Sequence, residues 1–240
     1  RHNLRFLGIG TQRIEDEVKH FFPEARLLRW DRDVITGRYA HEKLLKNFRD
    51  HKADVLIGTQ MIAKGLDLPQ VTLAGVINAD TGLNFPDFRS GERTFQLLCQ
   101  VAGRAGRGLK AGKVIIQTYS PDNYIIEAAA KHDYFGFYYK EIDYRRRYNY
   151  PPFSQLVRLV YSHTDEMLCH REAERVYRLI ADSRELTADS IIGPVPAFAF
   201  RVRGRYRWQL FLRGPDSSRI LSQLTLPRGW TIDVDPVGMV

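Results

Sequence analysis

The chain has 240 residues, of which 44% are apolar, with 36 Lys and Arg against 28 Asp and Glu, for a formal charge of +8. This length suffices for one or two domains with real cores, and the absence of an apolar run of about 18 residues excludes a transmembrane helix. The basic balance favours an anionic partner such as nucleic acid, as a moderate signal. Two cysteines give neither a metal-ligand spacing nor a disulfide framework, which fits a reducing cytosol. Because the chain lacks an initiator Met and begins almost inside a predicted strand, we expect a fragment of a longer protein.

Residues 1–120 alternate between two apolar patterns. Short apolar runs predict strands at 4–9, 25–30, 55–58, 71–78 and 113–118, and helical spacing lies between them, including 40–51, 60–64 and 90–102. Strands that alternate with helices predict a parallel sheet with helices on both faces. Ligands of such sheets usually bind beyond the carboxyl ends of the strands.

Residues 121–153 have the composition of a helical connector. Helices are predicted at 124–131 and 134–148, and a cluster of aromatic residues is expected to pack in a core, namely Phe135, Phe137, Tyr138 and Tyr139. The following segment 150–153, with two prolines, ends the helix and forms an extended link. The preceding run of arginines, 145–147, fits either a phosphate contact or the complement of a helix C-terminus.

Residues 154–240 are predicted to form a separate α+β domain. Strands at 156–161, 191–202, 205–212 and 230–235 and helices at 165–182 and 217–224 follow the order β-α-β-β-α-β, which is the ferredoxin-like pattern.

The central hairpin of this domain is rich in arginine. Period-two alternation puts Arg205 and Arg207 on one face and Tyr206 and Trp208 on the other. At least one aromatic is expected to pack in the core, whereas the arginines favour binding to single-stranded DNA or to an acidic protein tail. The predicted DNA-binding residues here are Arg201, Arg203, Arg205, Arg207 and Trp208.

The segment 100–108, with the sequence QVAGRAGRG, is the strongest motif in the chain. Read as a helix, it places Gln100, Arg104 and Arg107 on one stripe at i, i+4 and i+7. Two guanidiniums one turn apart can converge on a phosphoryl group, as arginine fingers do. The alternative is a surface helix with solvated arginines.

The sequence Gly-Thr-Gln occurs twice, each time between a predicted strand and a helix, at 10–12 and 58–60. In each copy the threonine can cap the helix, and the free N–H groups of the first turn can bind phosphate. The alternative is two ordinary helix caps.

Together these segments resemble the second RecA-like lobe of a superfamily-two helicase, with 58–67 similar to motif V and 100–107 similar to motif VI. The resemblance is closer to one family, the PriA family of primosomal replication-restart helicases. It extends over nearly the whole chain, through the segments 8–17, 58–65, 86–93, 150–153, 203–208 and 233–236.

The resemblance implies an ATP-dependent 3′-to-5′ DNA helicase for replication restart, of which this chain is the C-terminal portion. Arg104 and Arg107 would reach the γ-phosphate of ATP, and Gln100 would position nucleotide or water. Gly65 and Asp67 would lie at the nucleotide cleft. The DNA backbone would be held by a further set of residues, Thr11, Gln12, Arg13, Thr59, Gln60 and Lys64. For Lys64 the nucleotide cleft is the alternative.

The resemblance also implies cofactors, partners and a location. ATP and Mg²⁺ would be bound mainly by another lobe, because this sequence has no P-loop, so the chain alone is expected to be inactive. Zinc is expected in the full-length protein and not in this chain. Forked and single-stranded DNA, the single-stranded-DNA-binding protein and other primosome proteins are the expected partners, in the bacterial cytoplasm at the nucleoid.

Two rival interpretations fit parts of the sequence. Another superfamily-two DNA repair motor, of the UvrB or RecG kind, would share the segments similar to motifs V and VI, but it does not account for the 150–153 link or the basic hairpin. A helicase-like DNA-binding scaffold without ATP hydrolysis would explain the basic surface, although the arginine stripe argues against it.

Overall fold

The structure is a computed structural model that describes residues 10–31, 40–60, 62, 68–103, 105, 112–182, 190–215, 217–222 and 224–239. The helices in this part of the chain are α1 Thr11–Phe21, α2 Ala40–Arg49, α3 Asp80–Leu83, α4 Ser90–Ala102, α5 Tyr124–Lys131, α6 Tyr134–Arg147, α7 Glu166–Asp182 and α8 Ser217–Ser222. The strands are β1 Leu27–Trp30, β2 Val55–Gly58, β3 Leu73–Val76, β4 Lys113–Ile116, β5 Gln155–His163, β6 Ile191–Val202, β7 Arg205–Gly214 and β8 Trp230–Val234. Over these ranges, no helix has the length and apolar character needed to cross a bilayer.

The chain divides into two compact units. The first contains the residues up to Phe85 together with Gly91–Phe137, and the second contains Pro86–Ser90 together with the residues from Tyr138 onward. The predicted connector 121–153 therefore contributes α5 and the start of α6 to the first unit and the remainder to the second.

Parallel strand pairs form the sheet structure of the first unit, as the alternation of strands and helices predicts. β1 pairs with β2 in register from Leu27↔Val55 to Trp30↔Gly58, and β3 pairs with β4. Within the described residues these remain two separate two-stranded sheets and do not join into the predicted single sheet. The strand predicted at 4–9 lies outside the described residues.

The cores of the first unit form where apolar helix faces meet these strands. Trp30 and Leu68 are buried against the apolar face of α2. A larger cluster joins α4, α5 and the first turn of α6, where the rings of Phe95 and Phe137 stack with centroids 4.2 Å apart.

Only part of the predicted aromatic core exists. Phe137 is buried, but Phe135, Tyr138 and Tyr139 are 69%, 44% and 66% exposed, so the core prediction is wrong for these three residues. The reason is helical geometry: successive residues turn by about 100°, so a helix that packs through Phe137 points its neighbours elsewhere.

The second unit is built on one antiparallel sheet with the strand order β6-β7-β5-β8. Its elements follow the predicted order β-α-β-β-α-β, and most of their bounds agree with the sequence pattern within two residues. The residues Val157, Leu159, Leu210 and Leu212 point to the side covered by α7 and α8, where they are fully buried.

A second, smaller core lies on the opposite side of this sheet and contains a residue from the middle of the chain. Phe88 is buried against Leu156 and Phe211, and its ring stacks on Tyr150 with centroids 5.3 Å apart. The Arg145 guanidinium lies 5.3 Å from the centre of the Phe88 ring and forms an ion pair of 2.9 Å with Glu141.

Hydrogen bonds fix the ends of this inserted segment, Pro86–Ser90. The Met239 backbone N–H donates to the Asp87 carboxylate at 3.1 Å, and the Arg89 guanidinium donates to the Val237 carbonyl at 3.2 Å. Pro86–Ser90 is thus part of the core of the second unit.

Candidate nucleic-acid interface

Two turns with the sequence Gly-Thr-Gln lie at one edge of the β1–β2 pair. The Thr11 hydroxyl donates to the Asp31 carboxylate at 2.5 Å, and Asp31 directly follows β1. Thr59 directly follows β2, and the last residues of the two strands, Trp30 and Gly58, are opposite each other in the parallel register. Both turns therefore lie at the carboxyl edge, where parallel sheets bind ligands.

The first turn exposes the positive end of α1. Gly10 is the N-cap in extended conformation, and the first helical hydrogen bond runs from the Ile14 N–H to the Gly10 carbonyl at 3.2 Å. The N–H groups of Thr11, Gln12 and Arg13 therefore have no acceptor within the helix, which favours an anion at this end. The Gln12 and Arg13 side chains are exposed, and Arg13 pairs with Glu17 at 3.2 Å at the surface.

The predicted cap by Thr11 is wrong. Thr11 is the first residue of α1 and makes no cap hydrogen bond, since its hydroxyl is used by the buried Asp31 carboxylate. The bond attaches the start of α1 to the end of β1 and holds the first turn at the sheet edge.

The second turn requires glycine for steric reasons. A Cβ atom on Gly58 would overlap the Trp30 carbonyl oxygen and the Ile62 side chain. Thr59 and Gln60 follow in an exposed turn that is closed by a hydrogen bond of 3.1 Å from the Ile62 N–H to the Thr59 carbonyl. Lys64, predicted to bind DNA, and Gly65 and Asp67, predicted to line the nucleotide cleft, lie outside the described residues.

The arginine stripe is not carried by one continuous helix. α4 buries Phe95 and Leu98 and presents an exposed Gln100 near its C-terminal end. The helix ends at Ala102, and the Gly103 N–H donates to the Cys99 carbonyl at 2.9 Å, a bond of the helical i→i−4 type. Gly103 and Ala105, the described residues that follow, lie in turns, so the helical interpretation of Gln100–Arg107 does not hold at these two positions. Arg104 and Arg107 themselves lie outside the described residues.

The basic hairpin turns tightly at its tip. Arg203 and Gly204 connect β6 to β7, both with positive φ, 49° and 79°, as in the primed turns that suit the twist of a hairpin. Arg203 is exposed and has no polar partner among the residues that the structure describes.

The four hairpin arginines do not share one face. Arg201 lies opposite Tyr206, with its guanidinium 5.0 Å from the ring centre, on the side of the sheet that carries the helices. Arg205 and Arg207 point to the other side. Arg205 donates to the Ser162 carbonyl at 2.8 Å, whereas the half-buried Arg207 has no hydrogen bond or ion pair within the described chain.

Trp208 is held on the helix side of the sheet. Its ring lies 4.2 Å from His170 and 6.4 Å from Phe200, centroid to centroid, and it is half-buried. The expectation that at least one hairpin aromatic packs inward agrees with this position. Any contact of Trp208 with DNA remains a prediction.

Arg158, which no sequence motif indicates, lies in the middle of β5. The residue is 9% exposed, and its Nε donates to the Gln209 side-chain oxygen at 3.1 Å. Burial lowers the pKa of Arg158, the charge of Arg207 lowers it further, and Asp233 and Asp87 raise it. The available signal was a single arginine inside the otherwise apolar run Leu156–Val160.

Neither the two cysteine thiols nor any cluster of metal-ligating side chains forms a reactive site within the described residues. Burial raises the pKa of both thiols, Cys99 and Cys169, which keeps them protonated. Throughout the described part of the chain, no three His, Cys, Asp or Glu side chains cluster as metal ligands.

Two family models match the sequence in succession. Residues 13–108 match the helicase conserved C-terminal domain, and residues 146–237 match the primosomal protein N C-terminal domain. The first match contains the second Gly-Thr-Gln turn and α4, and the second match contains the antiparallel sheet with its hairpin.

The chain is also similar to proteins named replication restart protein PriA. It is 46% identical to that of Bacillus subtilis over 223 residues, 92% of this chain and 28% of the relative. For Synechocystis the identity is 42% over 98% of this chain and 29% of the relative, and for Chlamydia pneumoniae it is 38% over 98% and 32%. The chain thus spans less than a third of the length of these relatives. By these matches the chain belongs to the PriA family of replication restart proteins.

Proposed function

We propose that this chain is part of an ATP-dependent 3′-to-5′ DNA helicase that restarts replication at stalled forks. The observation that carries the proposal is the pair of domain matches, in order and within one chain that is 46% identical to a PriA protein. The carboxyl-edge geometry supports it, because the free N–H groups at the start of α1 lie there beside the second Gly-Thr-Gln turn.

In this proposal the first unit is the second RecA-like lobe of the motor. The turns at Thr11–Arg13 and Thr59–Gln60 hold successive phosphates of one DNA strand through backbone N–H groups, a contact that sets register without reading sequence. Gln100, Arg104 and Arg107 face a nucleotide whose phosphates and Mg²⁺ are held chiefly by a P-loop that this sequence does not contain. Lys64 holds DNA, and Gly65 and Asp67 line the nucleotide cleft.

The second unit binds DNA and protein partners through its basic hairpin. The strand order supports a ferredoxin-like fold for 154–240, with Arg201, Arg203, Arg205, Arg207 and Trp208 along one hairpin. Guanidiniums suit phosphates and the acidic tail of a single-stranded-DNA-binding protein alike. The whole protein would act with other primosome proteins in the bacterial cytoplasm at the nucleoid.

Strand separation by the full-length protein tests this function. We expect ATP-dependent unwinding of a duplex with a 3′ single-stranded tail, and none with a matched 5′ tail, since the motor moves 3′ to 5′ on the strand it holds. The 240-residue chain alone, at the same concentration, should hydrolyse no ATP. DNA binding without unwinding by the full-length protein would instead support the scaffold alternative.

A further inference from the structure

One face of the antiparallel sheet carries hydrogen-bond donors without acceptors. Arg158, Arg207 and Gln209 point away from α7 and α8, because the alternate positions on the same strands, such as Leu159 and Leu210, form the core under those helices. In the register of β5 and β7, Val160 lies opposite Gln209, and Arg158 lies opposite Phe211.

The Arg158 side chain contacts two residues of β7: its guanidinium lies 6.0 Å from the centre of the Phe211 ring, and its Nε reaches Gln209. The Arg158 Nε donates to the side-chain oxygen of Gln209. Gln209 lies between Arg207 and Phe211 on one face of β7, and Phe211 is the residue directly opposite Arg158. Gln209 and Arg207 are two residues apart on one strand, a rise of roughly 7 Å. The guanidinium of Arg158 is thereby brought close enough for Arg207 to depress its pKa.

The donors of this group are unused within the described chain. Apart from the bond to Gln209, neither Arg158 nor Arg207 has a hydrogen bond or ion pair there. The Gln209 oxygen accepts from Arg158, so its amide nitrogen points elsewhere and is likewise without an acceptor among these residues. Arg158 and Gln209 are 9% and 6% exposed, and Arg207 is half-buried, so the group lies at the edge of the buried part of this face.

No carboxylate closes the site. Asp233 lies directly across from Arg158 on β8, and Asp87 is within electrostatic range, but neither forms an ion pair with Arg158 or Arg207. Two guanidiniums side by side repel each other, and burying one of them costs further free energy unless an anion is present.

We propose that Arg158, Arg207 and Gln209 form a binding site for a backbone phosphate of single-stranded nucleic acid. The two guanidiniums supply forked donors that match phosphate oxygens, and the Gln209 amide supplies a third direction. Arg205, two residues further along the same face, continues the row of positive charge, and Val195, 38% exposed, gives an apolar surface beside it. A row of cations beside an apolar surface suits a polyanion with bases better than it suits one carboxylate.

This inference rests on the proposed DNA-binding role of the chain and adds a site to it. The test is the affinity of the 240-residue chain for a fluorescein-labelled oligonucleotide of twenty thymidines, measured by anisotropy at several salt concentrations. Variants R207Q and R158Q remove one charge each. The control R171Q removes one charge from an exposed position on α7, where the arginine has no partner in the described chain.

We expect R207Q to weaken binding about tenfold, as loss of a charged hydrogen bond does, and R171Q to weaken it less than about twofold, as loss of a distant charge does. For each phosphate interaction that a substitution removes, the slope of log affinity against log salt should become shallower by about 0.7. R158Q should behave like R207Q. If R158Q fails to fold, R207Q alone decides, because Arg207 is only half-buried.

The variant D233N should bind more tightly than the wild type, because it removes the carboxylate that faces Arg158. If the wild type binds and R207Q and D233N both behave like R171Q, the site is refuted while the DNA-binding role stands. If R207Q loses affinity for an Asp-rich peptide but not for the oligonucleotide, the site takes carboxylates and the proposal is wrong. Absence of any binding by the wild-type chain would refute the DNA-binding role of the chain itself.

Discussion

Gly58 shows why one residue of the second Gly-Thr-Gln turn cannot be replaced. The chain at the end of β2 passes so close to Trp30 and Ile62 that no Cβ fits. Sequence repetition marks this turn and the turn at Gly10 as equivalent, but the structure separates them: a Cβ on Gly10 meets no atom within 4 Å.

Replacement of each glycine by alanine measures this difference. We expect Gly58→Ala to lower the free energy of unfolding by about 2 kcal/mol, because an overpacked site must distort its neighbours. Gly10→Ala should cost less than about 1 kcal/mol, because its φ of −63° suits alanine and the loss is limited to that of a poorer N-cap residue. Urea denaturation of the two variants gives both values, and equal losses would show that Gly58 is not crowded.

At single positions, the sequence pattern predicts which face of a strand or helix a side chain takes, but it does not predict the hydrogen-bond partner of that side chain. The alternation in β7 correctly predicts that Arg205 and Arg207 lie on one face of the sheet and Trp208 on the other, because side chains alternate along any strand. The sequence predicts that the Thr11 hydroxyl caps its own helix, whereas in the structure this hydroxyl donates to the carboxylate of Asp31, 20 residues away. Arg158 was missed because its partner Gln209 lies 51 residues further along the chain.

The inserted segment Pro86–Ser90 is the element whose role is least visible in the sequence. The chain leaves the first unit at Phe85, contributes five residues to the second unit, and returns to the first along α4. Phe88 is 6% exposed and packs in the core on the side of the antiparallel sheet opposite α7 and α8.

Truncation of Phe88 should therefore destabilise the second unit. We expect Phe88→Ala to cost about 3–5 kcal/mol in unfolding free energy, the usual loss for a buried phenylalanine. Phe135→Ala, at a side chain that is 69% exposed, should change stability by less than about 0.5 kcal/mol. Thermal unfolding followed by circular dichroism distinguishes the two, and an equally small effect at Phe88 would contradict the core assignment.

Elements with a strong local pattern were predicted closely. α5 has its predicted bounds because Asn123 caps it, accepting from the Ile125 N–H at 2.9 Å, and β6 is bounded by the same residues as its apolar run. α4 begins and ends at its predicted residues, Ser90 and Ala102, because its apolar residues recur at helical spacing. The aromatic composition of α6 wrongly predicts that Phe135, Tyr138 and Tyr139 are buried, because composition does not reveal which side of a helix packs against a neighbour.

At the scale of the whole molecule, the predicted nucleotide-site residues lie in the first unit and the basic hairpin lies in the second. The formal charge of +8 suits a polyanionic partner. In the proposed function the first unit supplies half of a nucleotide site, and the second unit supplies a basic surface. Catalysis would then depend on Arg104, Arg107 and a P-loop carried elsewhere in the longer protein, since arginine fingers act on a phosphoryl group held by other residues.

ATP hydrolysis by the full-length protein carrying Arg104→Ala tests the central proposal most directly. Turnover stimulated by single-stranded DNA should fall by roughly 10³-fold or more, as it does when an arginine finger is lost. DNA affinity should stay within about twofold of the wild type, and Arg171→Ala, the matched control, should hydrolyse ATP normally, because a single surface charge at a distance is largely screened. Unchanged DNA-stimulated turnover in Arg104→Ala would contradict the assignment of this chain to the motor of a helicase.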